Sequence, residues 1–293
     1  MTDHNEKYYV PEQSPWPIVG AIAFFLIAVG AGNLVAQISQ SGTGGWGRYV
    51  LYTGIALIIF MLFGWFRDQI KESTTGMHNH QLGVSYRQGM SWFIFSEVMF
   101  FAAFFGALFY TRTISVPWLA GAGNNAMTAA VLWPNFEAIW PLTTTPSGQT
   151  TEAMGYQGLP LINTLILLVS SITVHFAHTG LELNKRGQLK VMLAITVLLG
   201  CIFLALQVME YIHAYRDLDL RLDSGVYGNT FYLLTGFHGL HVFLGTVFLF
   251  IMLLRIFAGH FDSSNHFAFQ AASWYWHFVD VVWLCLFIFV YIL

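Results

Sequence analysis

The sequence predicts an all-α membrane protein with seven transmembrane helices. Of its 293 residues, 56% are hydrophobic and only 9% are charged, whereas a soluble globular domain carries about 25% charged residues. Long apolar runs recur along the whole chain, and runs such as residues 55–63 lack the polar–apolar alternation of barrel strands. The formal net charge of −3 argues against nucleic acid as a partner, because a nucleic-acid-binding face is strongly basic.

Each predicted span is long enough to cross a bilayer. About 20 apolar residues are needed, because every backbone N–H and C=O must be paired within the segment. In chain order the spans are predicted at residues 17–36, 49–65, 88–110, 160–181, 191–209, 231–257 and 271–293. Together they predict a single integral membrane domain that covers residues 1–293.

The distribution of basic residues predicts the orientation. Seven spans place the two termini on opposite sides of the membrane. The richer side collects Lys7, Arg67, Lys71, Arg87, Lys185, Arg186, Lys190 and Arg255. The other side collects Arg48, Arg112, Arg216 and Arg221, and it also carries acids such as Glu210 and Asp217. By the positive-inside rule the N-terminus is cytoplasmic, or faces the matrix in an organelle, and the C-terminus lies outside.

The connection 111–159 is long and rich in turn-forming residues, among them Pro117 and Pro134. This composition predicts an irregular outer cap rather than an eighth span. Alternatively, residues 125–133 form a short surface helix. Small residues four apart, as in Ala28/Gly32 and Ala102/Gly106, permit close helix contacts, although such residues are common in membrane helices.

Glu97 is the first candidate functional residue. It lies nine residues into the third span, or about 13 Å along the helix, with no charged residue within a helical turn or two. A charged group near the bilayer centre costs about 2.5–3.5 kcal/mol. Glu97 is therefore a candidate for proton exchange or for binding a polar headgroup. The alternative is a protonated carboxyl that serves as a hydrogen-bond tie between helices.

Asp280 and several histidines are the other intramembrane polar residues considered as candidates. Asp280 follows His277 by three residues, so the two can share a helix face, and a structural pair is favoured over a proton relay. His238 and His241 have the same spacing in the sixth span, as do His175 and His178 in the fourth.

These histidines are predicted to be hydrogen-bonded core residues rather than metal or haem ligands. A bis-histidine haem needs ligands at matched depth, and no carboxylate is assigned at metal-ligand spacing nearby. No residue is assigned a catalytic or metal-binding role. Glycine loops of the ATPase type, CxxC pairs and nucleophile elbows are also lacking in the sequence.

Trp65, Arg67 and Arg87 lie at the predicted inner ends of the second and third spans. An indole next to arginines at this level suits an anionic lipid headgroup. The alternative for Arg67 is a surface pair with Asp68 that contributes little energy.

Several segments together carry a resemblance to a known family. They are RQGM at 87–90, SEVMFF at 96–101, TGFHGLHV at 235–242 and WYWHFVDVVW at 274–283, with WFRD at 65–68, LINT at 161–164 and HFAH at 175–178. The chain resembles cytochrome c oxidase subunit III over nearly its whole length, except for the outer loop. YYVP at 8–11 and the Trp16-Pro17 pair resemble the bacterial members in particular.

The resemblance implies two N-terminal helices splayed from a five-helix bundle, with a lipid-filled cleft. It also implies packing beside catalytic subunit I, together with subunit II, in a proton-pumping oxidase that reduces dioxygen with electrons from cytochrome c. The family's subunit holds no haem or copper, which lie in the partner subunits. Glu97 matches the family's intramembrane glutamate, and Trp65, Arg67 and Arg87 match its lipid contacts.

From the resemblance we expect a subunit that keeps proton uptake rapid, protects the catalytic subunit and lies in a bacterial plasma membrane rather than a mitochondrial inner membrane. The segment GMHNH at 76–80 departs from the family pattern, so His78 and His80 are assigned no role.

The residues alone leave two other classes of protein open. A free-standing proton-coupled transporter would use Glu97 and Asp280, but it lacks the broken helices typical of such sites. A membrane cytochrome would use the histidine pairs.

Overall fold

The structure is a computed structural model that describes residues 9–10, 13–42, 44–78, 80–261 and 266–293. Lys7, Tyr8 and Pro11, which the sequence analysis used, lie outside the described residues, as does Asn79. In chain order the α-helices are α1 (Trp16–Ser41), α2 (Gly47–Thr74), α3 (His80–Tyr110), α4 (Val116–Leu119), α5 (Ala126–Leu132), α6 (Leu159–Glu182), α7 (Arg186–Arg216), α8 (Val226–Phe257) and α9 (Phe267–Leu286).

The prediction of an all-α fold with seven spans is confirmed. Among the described residues, seven helices are long and apolar enough to cross a membrane: α1, α2, α3, α6, α7, α8 and α9. They extend past the apolar runs at several ends. The helix α3 begins at His80 rather than near residue 88, because backbone hydrogen bonding continues into polar residues beyond the apolar stretch.

The connection 111–159 is more helical than the predicted irregular cap. A π-helical turn, Thr111–Ser115, and then α4 continue directly from α3. Pro117 does not stop the chain, because it occupies the first turn of α4, where a proline's missing N–H is tolerated. The alternative of a short surface helix at 125–133 is confirmed by α5, on which Met127 is 80% exposed.

The contacts divide the chain into two compact units, Met1–Tyr86 and Arg87–Leu293. The prediction of a single domain stays a prediction, as does that of a lipid-filled cleft. In the first unit α1 packs on α2 through glycines. A Cβ placed on Gly54 would lie 2.7 Å from Ile27 Cγ1, and one on Gly47 would lie 2.6 Å from the backbone nitrogen of Leu34.

A Cβ added to Gly32, which the small-residue pattern singled out, would meet no atom of the described residues within 4 Å, apart from the backbone of its own helix. At Gly32 the pattern therefore marks no close contact with another described helix of this chain. The spacing of small residues alone does not say which face of the helix meets its neighbour.

In the second unit, α9 is held to α6 by buried indoles. Trp276 Nε1 donates to Ser170 Oγ and Trp283 Nε1 donates to Thr164 Oγ1, each at 2.9 Å. Both tryptophans are at most 1% exposed. Gly200 of α7 and Gly245 of α8 approach the Trp276 ring so closely that an added Cβ would lie about 3 Å from it. Four helices thus meet around a single aromatic side chain.

Candidate functional site

Glu97 of α3 is bonded to His241 of α8. Glu97 Oε2 lies 2.9 Å from His241 Nε2, and the two side chains are 22% and 10% exposed. The two residues are 144 positions apart in the chain, and the sequence analysis assigned no partner to Glu97. The hydrogen bond of Glu97 therefore connects α3 to α8.

The hydrogen bonds of His241 fix where its protons lie. Its Nδ1 is 2.6 Å from the carbonyl oxygen of Phe237. A carbonyl can only accept, so Nδ1 carries a proton. The bond between Nε2 and Glu97 Oε2 then holds one further proton, which belongs either to the imidazole or to the carboxyl group. The pair therefore shares one proton between Nε2 and Oε2. Its net charge is zero whether that proton lies on the imidazole or on the carboxyl group.

Aromatic rings surround this pair. The ring of His241 lies 4.9 Å from that of Phe101 and 5.9 Å from that of Phe100, between centroids, and it stacks on Tyr275 at 6.3 Å. Phe278 closes a further side at 6.5 Å. Such surroundings strengthen the electrostatic part of the hydrogen bond, because water is largely excluded.

His277 and Asp280 meet at a third residue, Ser171 of α6. Ser171 Oγ donates to Asp280 Oδ2 at 2.7 Å and lies 3.1 Å from His277 Nδ1. A hydroxyl has one proton to give, so His277 Nδ1 is the donor in the second bond. Sequence spacing placed His277 and Asp280 on a common face but did not identify the serine that bridges them. Asp280 Oδ1 has no hydrogen-bond partner among the described residues.

His238 and His241 bond to different neighbours despite their spacing. His238 is fully buried, and its Nε2 donates to the carbonyl oxygen of Val279 at 3.1 Å. Its ring lies between Phe203 and Trp283, at centroid distances of 5.8 and 5.0 Å. Both ring nitrogens of His241 are already bonded, so it offers no lone pair to a metal without losing one of those bonds.

Glu210, which the charge distribution assigns to the acids of the outer side, is a buried residue of α7. It is 0% exposed and accepts a hydrogen bond from Tyr291 Oη at 2.6 Å. Helical periodicity was the missed signal, because Phe203, Gln207, Glu210 and Ala214 share one face of α7 and are all buried.

The three lipid candidates are exposed, and none forms an ion pair with a residue that the structure describes. In the first unit Trp65 stacks on Phe66, and Arg67 has no carboxylate within salt-bridge distance among the described residues. The alternative pairing with Asp68 is not formed; Asp68 Oδ2 instead accepts the indole N–H of Trp16 at 2.8 Å. In the second unit Arg87 lies over the ring of Phe267.

His178 has a carboxylate nearby, contrary to the sequence analysis. Its Nε2 lies 3.8 Å from Glu182 Oε1, one turn later on α6. His175, by contrast, is exposed. The signal for this pair is the i, i+4 spacing of His178 and Glu182, which places both on one helix face.

Seven apolar helices, with buried carboxyl groups and imidazoles bonded across them, define a multi-pass integral membrane protein. A family model described as cytochrome c oxidase subunit III matches residues 6–293. A protein of Danio rerio named cytochrome c oxidase subunit 3 is 39% identical over 292 residues, which cover 99% of this chain and 98% of the relative.

Two further relatives carry the same name. The protein of Paracentrotus lividus is 38% identical over 298 residues, and that of Prototheca wickerhamii is 38% identical over 290 residues, covering 98% of this chain and 97% of the relative. The chain belongs to the cytochrome c oxidase subunit III family, and it is therefore a component of an oxidase complex.

Proposed function

We propose that this chain is a non-redox subunit of a proton-pumping cytochrome c oxidase. It stabilises catalytic subunit I, contacts subunit II, and supports proton uptake through Glu97 and bound phospholipid. The haem and copper centres lie in the partner subunits, and cytochrome c is the electron donor to the complex. The proposed location is a bacterial plasma membrane, with the N-terminus in the cytoplasm.

The hydrogen bond between Glu97 and His241 carries the proposal. A pair that holds one proton in an apolar helix interface can pass that proton on and take up another without moving its backbone. The hydrogen bonds of His241 to Phe237 and Glu97 already orient the imidazole, so only the proton has to move. The pair has no redox chemistry of its own, which suits an accessory role.

The proposal is tested with Glu97→Gln in the purified complex. Glutamine keeps a polar contact with His241 but cannot release a proton at this position. We expect an assembled complex that retains most of its dioxygen reduction, because no electron passes through this chain, but takes up protons more slowly during turnover. Glu137→Gln is the matched control, because Glu137 is an exposed glutamate of the outer connection.

Two outcomes would contradict the proposal. Total loss of dioxygen reduction in an intact complex would make Glu97 part of an obligatory path. Proton uptake equal to that of the Glu137→Gln complex would leave Glu97 a structural tie only.

The lipid part of the proposal has its own test. Arg67 and Arg87 are exposed cations without an ion-pair partner among the described residues, and each suits a phosphate group. We expect Arg67→Ala and Arg87→Ala each to lower the phospholipid that co-purifies with the complex, as counted by native mass spectrometry. Lys185→Ala is the control, since Lys185 is an exposed cation predicted to lie on the same side of the membrane. Equal loss from all three variants would contradict a specific site.

A further inference from the structure

A cluster of two histidines and a glutamate has no part in the proposed function. His178 and Glu182 are four residues apart at the end of α6, and His266 directly precedes α9. One ligand atom of each residue lies within 4.8 Å of the other two. The three side chains come from two segments of the chain, so the fold rather than local sequence brings them together.

We propose that His178, Glu182 and His266 form a binding site for a divalent transition-metal ion of the Zn²⁺ class. Imidazole nitrogen and carboxylate oxygen are the donors that Zn²⁺ accepts, and nitrogen donors disfavour Ca²⁺ and Mg²⁺. Three protein ligands leave a fourth position for water, as in open zinc sites.

The free lone pairs support this assignment. His178 Nε2 and His266 Nδ1 are both buried, and neither has a hydrogen-bond partner among the described residues. Most buried polar atoms in proteins are paired, so two unpaired ring nitrogens in one cluster require an explanation. One shared metal ion would bind both ring nitrogens and the Glu182 carboxylate. A direct hydrogen bond between the two imidazoles would pair the nitrogens but would not involve the carboxylate.

The side chains are nearly in position. The rings of His178 and His266 lie 5.7 Å apart between centroids, and Phe269 packs on the His178 ring at the same distance. Donors bound to one tetrahedral zinc at about 2.0–2.1 Å lie about 3.4 Å from each other. Side-chain rotations would therefore close the site, and Glu182 is exposed and free to make the largest adjustment.

The ion would join the end of α6 to the start of α9. Ser171, Ser170 and Thr164 already hold these two helices together along their length. The metal site would extend that contact to the end of α6 and the start of α9, where Glu182 is exposed.

The test uses the purified oxidase complex. The complex is stripped with a chelator and then titrated with Zn²⁺ against a fluorescent zinc indicator. We expect His178→Ala and His266→Ala each to lose one equivalent of bound zinc relative to the unsubstituted complex. Glu182→Gln should raise the dissociation constant of that zinc ion at least tenfold, which corresponds to about 1.4 kcal/mol. The matched control is His175→Ala, which removes an exposed histidine from the same helix and should leave zinc binding unchanged.

Equal zinc binding in the unsubstituted and His178→Ala complexes would overturn the proposal, as would an equal loss in His175→Ala. Should the alanine variants fail to assemble, zinc-edge anomalous diffraction from the unsubstituted complex decides the question. A zinc peak between His178 and His266 supports the site, and the lack of a peak there at saturating zinc overturns it.

Discussion

Gly30 of α1 lies against the backbone of Leu51 of α2. A Cβ added at Gly30 would come within 2.3 Å of the Leu51 nitrogen. The obstacle is main chain, which cannot rotate aside as a side chain does. The distance between the two N-terminal helices is therefore set by the absence of a side chain at this position.

Gly30→Ala should force α1 and α2 apart and lower the stability of the first unit. Overpacking of a tight contact costs about 1–3 kcal/mol. Gly32→Ala is the matched control, because its added Cβ would have no neighbour within 4 Å in the described part of the chain beyond its own helix backbone. The measurement is the thermal unfolding of the purified complex, with hydrogen–deuterium exchange of α1 and α2 peptides. Equal behaviour of the two variants would contradict the close contact.

Glu97 and His241 should be energetically coupled. Glu97→Leu leaves His241 Nε2 without its partner in an apolar interface, which costs about 1–3 kcal/mol. The double variant Glu97→Leu/His241→Leu removes both polar groups, so it should cost less than the sum of the two single variants. Exchange protection of α3 and α8 peptides measures each cost. Strict additivity would show that the hydrogen bond does not couple the two helices.

Ser171 should matter as much as the two residues it bridges. Ser171→Ala leaves His277 Nδ1 and Asp280 Oδ2 unpaired, so we expect a loss of about 1–3 kcal/mol and weaker retention of the chain in detergent. Asp280→Leu should likewise weaken retention. Ser91→Ala is the control, because Ser91 is exposed and, within the described part of the chain, its hydroxyl bonds just the carbonyl oxygen of Arg87 in its own helix. Retention equal to that of the control would mean that the bridge is dispensable.

The connection between α2 and α3 should be sensitive to acid. Burial lowers the pKa of His78 below the ordinary value of 6.5, and the carboxylate of Glu72, 4.0 Å away, only partly opposes the shift. As the pH falls through 6.5, the unfolded chain binds a proton before the folded chain does. Stability therefore falls with the pH over that window and is unaffected by His78 above it.

The acid sensitivity is measured by hydrogen–deuterium exchange of the peptides around His78 at pH values on both sides of 6.5. Substituting His78→Gln should remove the pH-dependent part of the exchange. The same substitution at His80, which is exposed, should leave it in place. A pH dependence that survives His78→Gln would assign it to another group.

The intramembrane glutamate can be recognised from the sequence, but its partner cannot. Glu97 stands out because a carboxyl group within an apolar run is costly, which is a local property of the sequence. His241 is 144 positions away, and nothing in the spacing of either motif indicates that the two side chains meet. Ser171 cannot be recognised either, because a serine in a helix can bond its own backbone, and its residue type alone does not indicate a partner on another helix.

What the sequence alone determined was the class of the protein: seven apolar runs, an all-α fold and the family, together with Glu97, His238, His241, His277 and Asp280 as its intramembrane polar residues. The tertiary structure decided which of them are bonded to which. It also brought Glu210 into the core and His266 to His178 and Glu182. The physical reason is that hydrophobicity and helical period act over a few turns of one helix, whereas a hydrogen bond between helices depends on their relative depth and rotation.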